Sequence, residues 1–175
     1  MPPIEIDLRP VSHILTDAIG SPGKRVFYLQ AWQDDRTVTL IIEKFQIQSL
    51  AIGLEQFLAE IQQKYPELPE ASADYQEEMM HINPPVDPLF RVGELGLGYD
   101  TDNDQIILVA RELVAEGEDT ESAGVVRFWC TRSQLRAMSR WGIEMAARGR
   151  PFCPQCGEPM DPEGHFCVKK NGHLH

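Results

Sequence analysis

Apolar positions along this chain fall into two rhythms, and the two follow one another in the same order twice. Residues 4–19 are rich in β-branched and aliphatic side chains, with Val11, His13 and Leu15 on one face, and Gly20-Ser21-Pro22-Gly23 is a turn signal. Residues 26–32 read as a strand, Asp34-Asp35 as a turn and 37–42 as another strand, dense in β-branched residues. At Phe45 the period changes. Ile47, Leu50, Ala51, Leu54, Phe57, Leu58 and Ile61 recur at three- and four-residue steps, which predicts an amphipathic helix to about Lys64. Tyr65-Pro66 stops it, because the residue before a proline is pushed out of the helical region. Residues 66–88 hold five prolines and little periodicity, and read as a linker with one short helical turn near residues 75–80.

The plan then repeats. Residues 89–99 predict a strand broken by glycines, 100–104 a turn, 105–114 a strand, and 124–130 a third strand after an acidic loop. A second helix is expected over about 133–147, closed by Gly149 and Pro151. The letters agree as well: residues 38–50 (VTLIIEKFQIQSL) align without gaps on 126–138 (VRFWCTRSQLRAM), with Gln46 over Gln134 and Ile47 over Leu135. One such unit would leave a sheet face uncovered, whereas two can bury both helices on a common core. The expected fold is therefore α+β: a domain over 1–149 made of two strand-strand-strand-helix units (about 1–65 and 89–149) with mainly antiparallel sheet. A small zinc knuckle over 150–175 follows.

That knuckle is the most specific chemistry in the sequence. Cys153-Pro-Gln-Cys156-Gly157 points two thiolates at one centre, and the glycine permits the tight backbone after the second sulfur. Cys167 is the third ligand expected of a tetrahedral site. His173 is the preferred fourth, because Cys167-x5-His173 leaves room for a second knuckle with Asn171-Gly172 as its turn; His165 stays open as the alternative. A closed site of this kind is structural zinc, whose binding energy folds a segment too small for its own core. The same residues could also contact a protein partner.

Charge changes the picture in one place. The net charge of −11 disfavours the whole surface as a nucleic-acid binder. Residues 55–121 carry 17 acids against Lys64, Arg91 and Arg111, whereas 127–150 hold six arginines and only Glu144. Arg132, Arg136 and Arg140 lie four apart on one helical face, either an anion, partner or nucleic-acid strip or a face paired with the protein's own acids. Trp129 and Trp141 beside it read more simply as core than as stacking platforms. Asp100-Thr-Asp102-Asn-Asp104 begins like a calcium loop, but Gln105 and Arg111 occupy the positions where glycine and a bidentate glutamate belong, so a hairpin turn is expected. Gly93, Gly96 and Gly98 precede a strand and not a helix, and mark a bulge or close strand contact. Glu77, Glu78 and His81 read as a surface turn, and Cys130 as an inert buried thiol.

The segments 20–31 (GSPGKRVFYLQA), 90–100 (FRVGELGLGYD) and 149–165 (GRPFCPQCGEPMDPEGH), with the ending 167–173, resemble a bacterial family of conserved hypothetical proteins catalogued as a domain of unknown function. The resemblance spans nearly the whole chain. It implies a Cys-rich, zinc-ribbon-like ending and brings no activity.

No apolar run approaches the ~20 residues that span a bilayer, and 1–7 lack the basic and apolar regions of a signal peptide, so a cytoplasmic, non-membrane protein is expected. No catalytic motif is recognised, and the reading leans towards a non-enzymatic binding or adaptor protein. The alternatives are a ligand-binding protein or enzyme with a cleft between the units, using His13, Arg91, Arg111 and the Arg132 strip, and a nucleic-acid binder using Arg132 to Arg150 and the tail.

Overall fold

The computed structural model describes residues 3–148, apart from Pro22. In chain order these form β1 (Glu5–Leu8), β2 (His13–Ile19), β3 (Val26–Gln33), β4 (Arg36–Ile42), α1 (Lys44–Lys64), β5 (Val92–Asp100), β6 (Gln105–Glu112), β7 (Val125–Cys130) and α2 (Arg132–Arg148). Single 3-10 turns lie at Glu77–Met79 and Thr120–Ser122. The fold is α+β, with one antiparallel sheet, one mixed sheet and two helices.

Each helix forms where the three- and four-residue apolar spacing continues. On α1 the buried stripe is Ile47, Leu50, Leu54, Leu58 and Ile61; on α2 it is Leu135, Met138, Trp141 and Met145. Each fully buried side chain of this size is worth about 1.5–3 kcal/mol, so the stripes hold the helices more strongly than intrinsic propensity does. The helices run antiparallel across one another. Ile47, near the start of α1, touches Gly142, near the end of α2, and Glu55 meets Arg136. A single apolar cluster includes Leu29, Leu40 and Leu54 together with Leu108, Phe128 and Trp141, so the two halves share a core.

Each half is an antiparallel meander followed by a helix: β2-β3-β4-α1 and β5-β6-β7-α2. The registers superpose the halves. Ile14 pairs with Ala31 and Ala31 with Val38, as Leu95 pairs with Ala110 and Ala110 with Val126. The turns β4 to α1 and β7 to α2 likewise fall at matching letters of the repeated segment.

The N-terminal stretch departs from the sequence expectation. Residues 4–19 are two strands in different sheets, and β1 leaves its own half to pair in parallel with β7, Leu8 opposite Phe128. The residues just before β5 do the reciprocal thing. Leu89 N–H donates to Thr39 O at 2.9 Å, Ile41 N–H donates to Phe90 O at 3.0 Å, and Arg91 bridges in parallel to Ile41. The last strand of each meander is thus completed by the lead-in to the other, a pairing that satisfies backbone groups which would otherwise be left at an edge.

Glutamines fasten these exchanges. Gln46 Oε1 accepts the Glu43 N–H at the start of α1 (2.8 Å), while its Nε2 donates to Val92 O (3.1 Å) and Gly93 O (3.3 Å). Gln134 repeats the arrangement at α2, accepting from Thr131 N–H (2.8 Å) and donating to Val11 O (3.2 Å) and Ser12 O (3.3 Å). A carboxamide has one acceptor and a two-hydrogen donor, like a peptide group, so it can stand in for a missing strand neighbour. Gln33 does the same with both backbone groups of Arg9, accepting from N–H at 3.1 Å and donating to O at 2.7 Å.

The glycines of β5 behave as expected: a bulge falls between Val92 and Glu94, and a Cβ on Gly93 would come within 2.9 Å of Leu113 Cα. Residues 100–104 form the β5–β6 hairpin turn, with Asp104 at φ +49°.

Candidate functional site

Residues 66–88, which join the halves, form a strap that runs along α2 and then over the polar face of β2, β3 and β4. Having little regular structure, it must find partners for its backbone elsewhere. Arg132 Nη1 donates to Pro69 O at 2.9 Å, Arg136 Nη1 to Ala71 O at 2.7 Å, and Ser72 N–H donates to Ser133 Oγ at 2.9 Å. Tyr75 hydrogen-bonds Glu144 and packs at a tilt against Trp141, with centroids 5.7 Å apart. Arg148 Nη1 reaches Glu77 at 2.7 Å. Beyond the 3-10 turn, His13 Nε2 meets Met79 O at 2.7 Å, and Asp17 Oδ2 accepts from Ile82 N–H at 2.9 Å. His81 Nδ1 lies 3.3 Å from the same oxygen. Gln30, fully buried, exchanges both hydrogen bonds with the Asn83 backbone at 2.8 and 3.1 Å.

The arginine strip is therefore largely engaged inside the molecule. Arg132 is buried and forms a bidentate pair with Asp104, Nε to Oδ1 at 2.8 Å and Nη2 to Oδ2 at 3.1 Å. The guanidinium holds the Asp104 carboxyl below the usual carboxylate range. Burial, and then the hydrogen bond to Asp104, pushes Tyr99 up to about 12. Arg136 forms a bidentate pair with Glu55 at 2.9 and 3.2 Å and reaches Glu70 at 3.4 Å. Arg140 is exposed.

The remaining candidates do not converge. Arg91 pairs with Glu43, and Arg111 lies 3.8 Å from Glu94 in another cleft. Cys130 is fully buried, and burial raises its thiol, which leaves it protonated and unreactive. Trp141 is core, its Nε1 donating to Thr16 O at 2.9 Å, whereas Trp129 is half-buried beneath the Arg9 guanidinium at 3.9 Å. Cys153, Cys156, Cys167, His173 and His165 lie outside the described residues. Among the described residues no group of three His, Cys, Asp or Glu side chains is placed to hold a metal ion.

The strap creates what the linear sequence did not announce. A cleft of about 450 Å³ lies between β2, the first turns of α2 and the strap, lined by His13, Ile14, Tyr75, Met79, Ser133 and Gln134 among others. It brings together both halves and the linker, with His13 as its imidazole. His13 itself was visible in the sequence as a lone strand histidine. Its partners were not, because Met79 contributes a backbone carbonyl and Trp32 a ring 5.0 Å away on the neighbouring strand.

Among the described residues no helix is long and apolar enough to cross a membrane. No curated protein and no solved structure matches the chain. A family model does match, over residues 6–167, and its description is "Protein of unknown function (DUF3090)". The match takes in both meanders, the strap, both helices and the tail as far as Cys167, and the chain belongs to this family.

Proposed function

We propose that the protein is a non-enzymatic binding or adaptor protein whose α+β body carries a structural zinc segment. Cys153, Cys156, Cys167 and His173 are the ligands, with His165 the alternative fourth. The observation that supports this reading is the joint between the Cys-rich segment and the body. α2 ends at Arg148, five positions before Cys153 in the sequence, and its end is pinned. Arg25 donates to Met145 O and Ala146 O at 3.2 and 3.1 Å, capping the helix C-terminus with positive charge, and Arg148 joins Glu144 and Glu77. A zinc-folded segment attached to a helix held this firmly would be presented to a partner in a fixed direction.

The test is the metal content of freshly purified protein. Wild type should hold about one zinc ion per chain, as a closed four-ligand site requires. Cys156→Ser should lose it, and whichever of His165→Ala and His173→Ala also loses it identifies the fourth ligand. Metal-free wild type with an intact fold would overturn the zinc reading.

A second reading is favoured by the cleft at His13. Its exposed lining surface is mostly apolar, and around it stand an imidazole, a phenol, a carboxylate, two hydroxyls and two amides, polar groups able to orient a small ligand. Such a role predicts a rise in melting temperature with a bound metabolite, abolished in His13→Ala. The nucleic-acid reading loses support, because Arg132 and Arg136 already spend their donors on Asp104, Glu55 and the strap.

A further inference from the structure

The strapped cleft has a counterpart on the other half. A groove of about 330 Å³ lies between the first turns of α1 and the edge strand β5. The repeat maps one onto the other. Glu94 and Leu95 stand where His13 and Ile14 stand, and Phe45, Gln46 and Ser49 stand where Ser133, Gln134 and Ala137 stand. In the strapped cleft one wall is the segment that follows α1. Among the described residues, the α1–β5 groove has no such wall, and Phe45 is 64 % exposed beside it.

We propose that this groove seats the chain's own segment after α2, a stretch within residues 149–175, as the strap after α1 is seated against α2. Three observations carry the assignment. The ends are in the right places: Gly142 packs on Ile47, so α2 finishes beside the start of α1, just as α1 finishes beside Arg132 and Pro69 at the start of α2. The segment is long enough, since 149–175 exceeds 66–88. The third is the pair Gly53 and Gly96, both on the groove. Neither has a left-handed backbone, and a Cβ added to either meets no atom of the described residues within 4 Å. A glycine inside a helix is destabilising relative to alanine, and nothing in the described residues needs the space. An extended segment lying against β5 does need it, and would find a strand edge that no described strand pairs, with Phe45, Leu95 and Leu97 as apolar contacts.

The inference does not depend on zinc, and the test keeps the two apart. Photo-reactive benzoylphenylalanine replaces Phe45 in the full chain, heavy- and light-isotope chains are mixed, and cross-linked peptides are read by mass spectrometry, with metal content measured on the same sample. Links from position 45 to residues within 149–175 of the same chain are expected. Links to a second copy, or none to that segment, would overturn the assignment whatever the zinc content. As a second measurement, Gly53→Leu should leave the far-ultraviolet spectrum unchanged and speed proteolysis within 149–175 by about tenfold, the equivalent of roughly 1.4 kcal/mol of docking. Unchanged proteolysis would mean that the glycine is not covered by that segment.

Discussion

α1 and α2 leave their strands by the same device and then meet different surroundings. At both, a glutamine in the first turn ties the helix start to the lead-in of the other half's first strand, with the same 2.8 Å acceptor bond. Past that turn they diverge. α2 lies under the strap, with Arg132 and Arg136 bonded to it and Trp141 packed against Tyr75, while α1 leaves Phe45 and Ile52 at 64 % and 69 % exposure. Where α2 has Trp141, α1 has Gly53. The backbone-fastening positions are the same in both repeats, and apart from Gln46 and Gln134 the side chains facing the two clefts are not. The repeat is thus preserved where it closes the fold and altered where a surface is available.

The largest break in the comparison would come from making α2 resemble α1. Trp141→Ala removes a buried ring, its hydrogen bond to Thr16 O and its contacts with Tyr75 and His81. It should cost about 3–5 kcal/mol in urea unfolding. The loss should be accompanied by faster proteolysis of the strap. A cost under about 1 kcal/mol would mean that the hydrogen bonds and ion pairs hold the strap without the aromatic contact.

The glutamines sharpen the comparison from the other side. Gln46→Ala and Gln134→Ala should each lower stability by about 1–3 kcal/mol, since each removes three hydrogen bonds to backbone groups at a strand-to-helix corner. Gln46 is the deeper of the two and should show the larger loss. If one substitution were silent, the symmetry of hydrogen bonds would not be a symmetry of energy.

The smallest effect concerns pH. Asp104 is held below the usual carboxylate range by Arg132. Its contribution is therefore complete above the unfolded pKa, about 4, and is lost as pH falls through the lower folded value. Tyr99, raised to about 12, acts at the other end. Its contribution is present below about pH 10 and is lost as pH rises through the folded value. Unfolding curves of wild type and Asp104→Asn should converge in acid, and identical pH profiles at neutral and acid pH would rule out the Arg132 pair as a stabilising contact.

Much of this architecture was legible in the letters. Helix periodicity placed α1 and α2 to within a residue or two, and the 38–50 and 126–138 match placed both strand-to-helix corners. What local pattern could not supply was the identity of partners. Residues 4–19 read as one apolar stretch, since nothing in Glu5–Leu8 says that its neighbour is β7. Residues 66–88 read as a plain linker because the strap is gripped through carbonyls of Pro69, Ala71, Met79 and Asn83, and a carbonyl leaves no trace in a sequence. The spacing of Arg132, Arg136 and Arg140 was correct as a helical face, but its occupants, Asp104 and Glu55, lie in other elements.

The parallel pairing of β1 with β7 also bears on how the chain is made. Glu5 to Leu8 leave the ribosome well before their partners, Val125 to Phe128, which emerge only after the first meander, α1, the strap and the β5–β6 hairpin have been synthesised. The mixed sheet cannot be completed until β7 emerges, and the edge of β4 waits likewise for Leu89 and Phe90. Contacts this distant in sequence slow folding and leave strand edges open in the interval. The nascent chain therefore has a long period of exposure in which a chaperone, or premature pairing with another chain, can act on it.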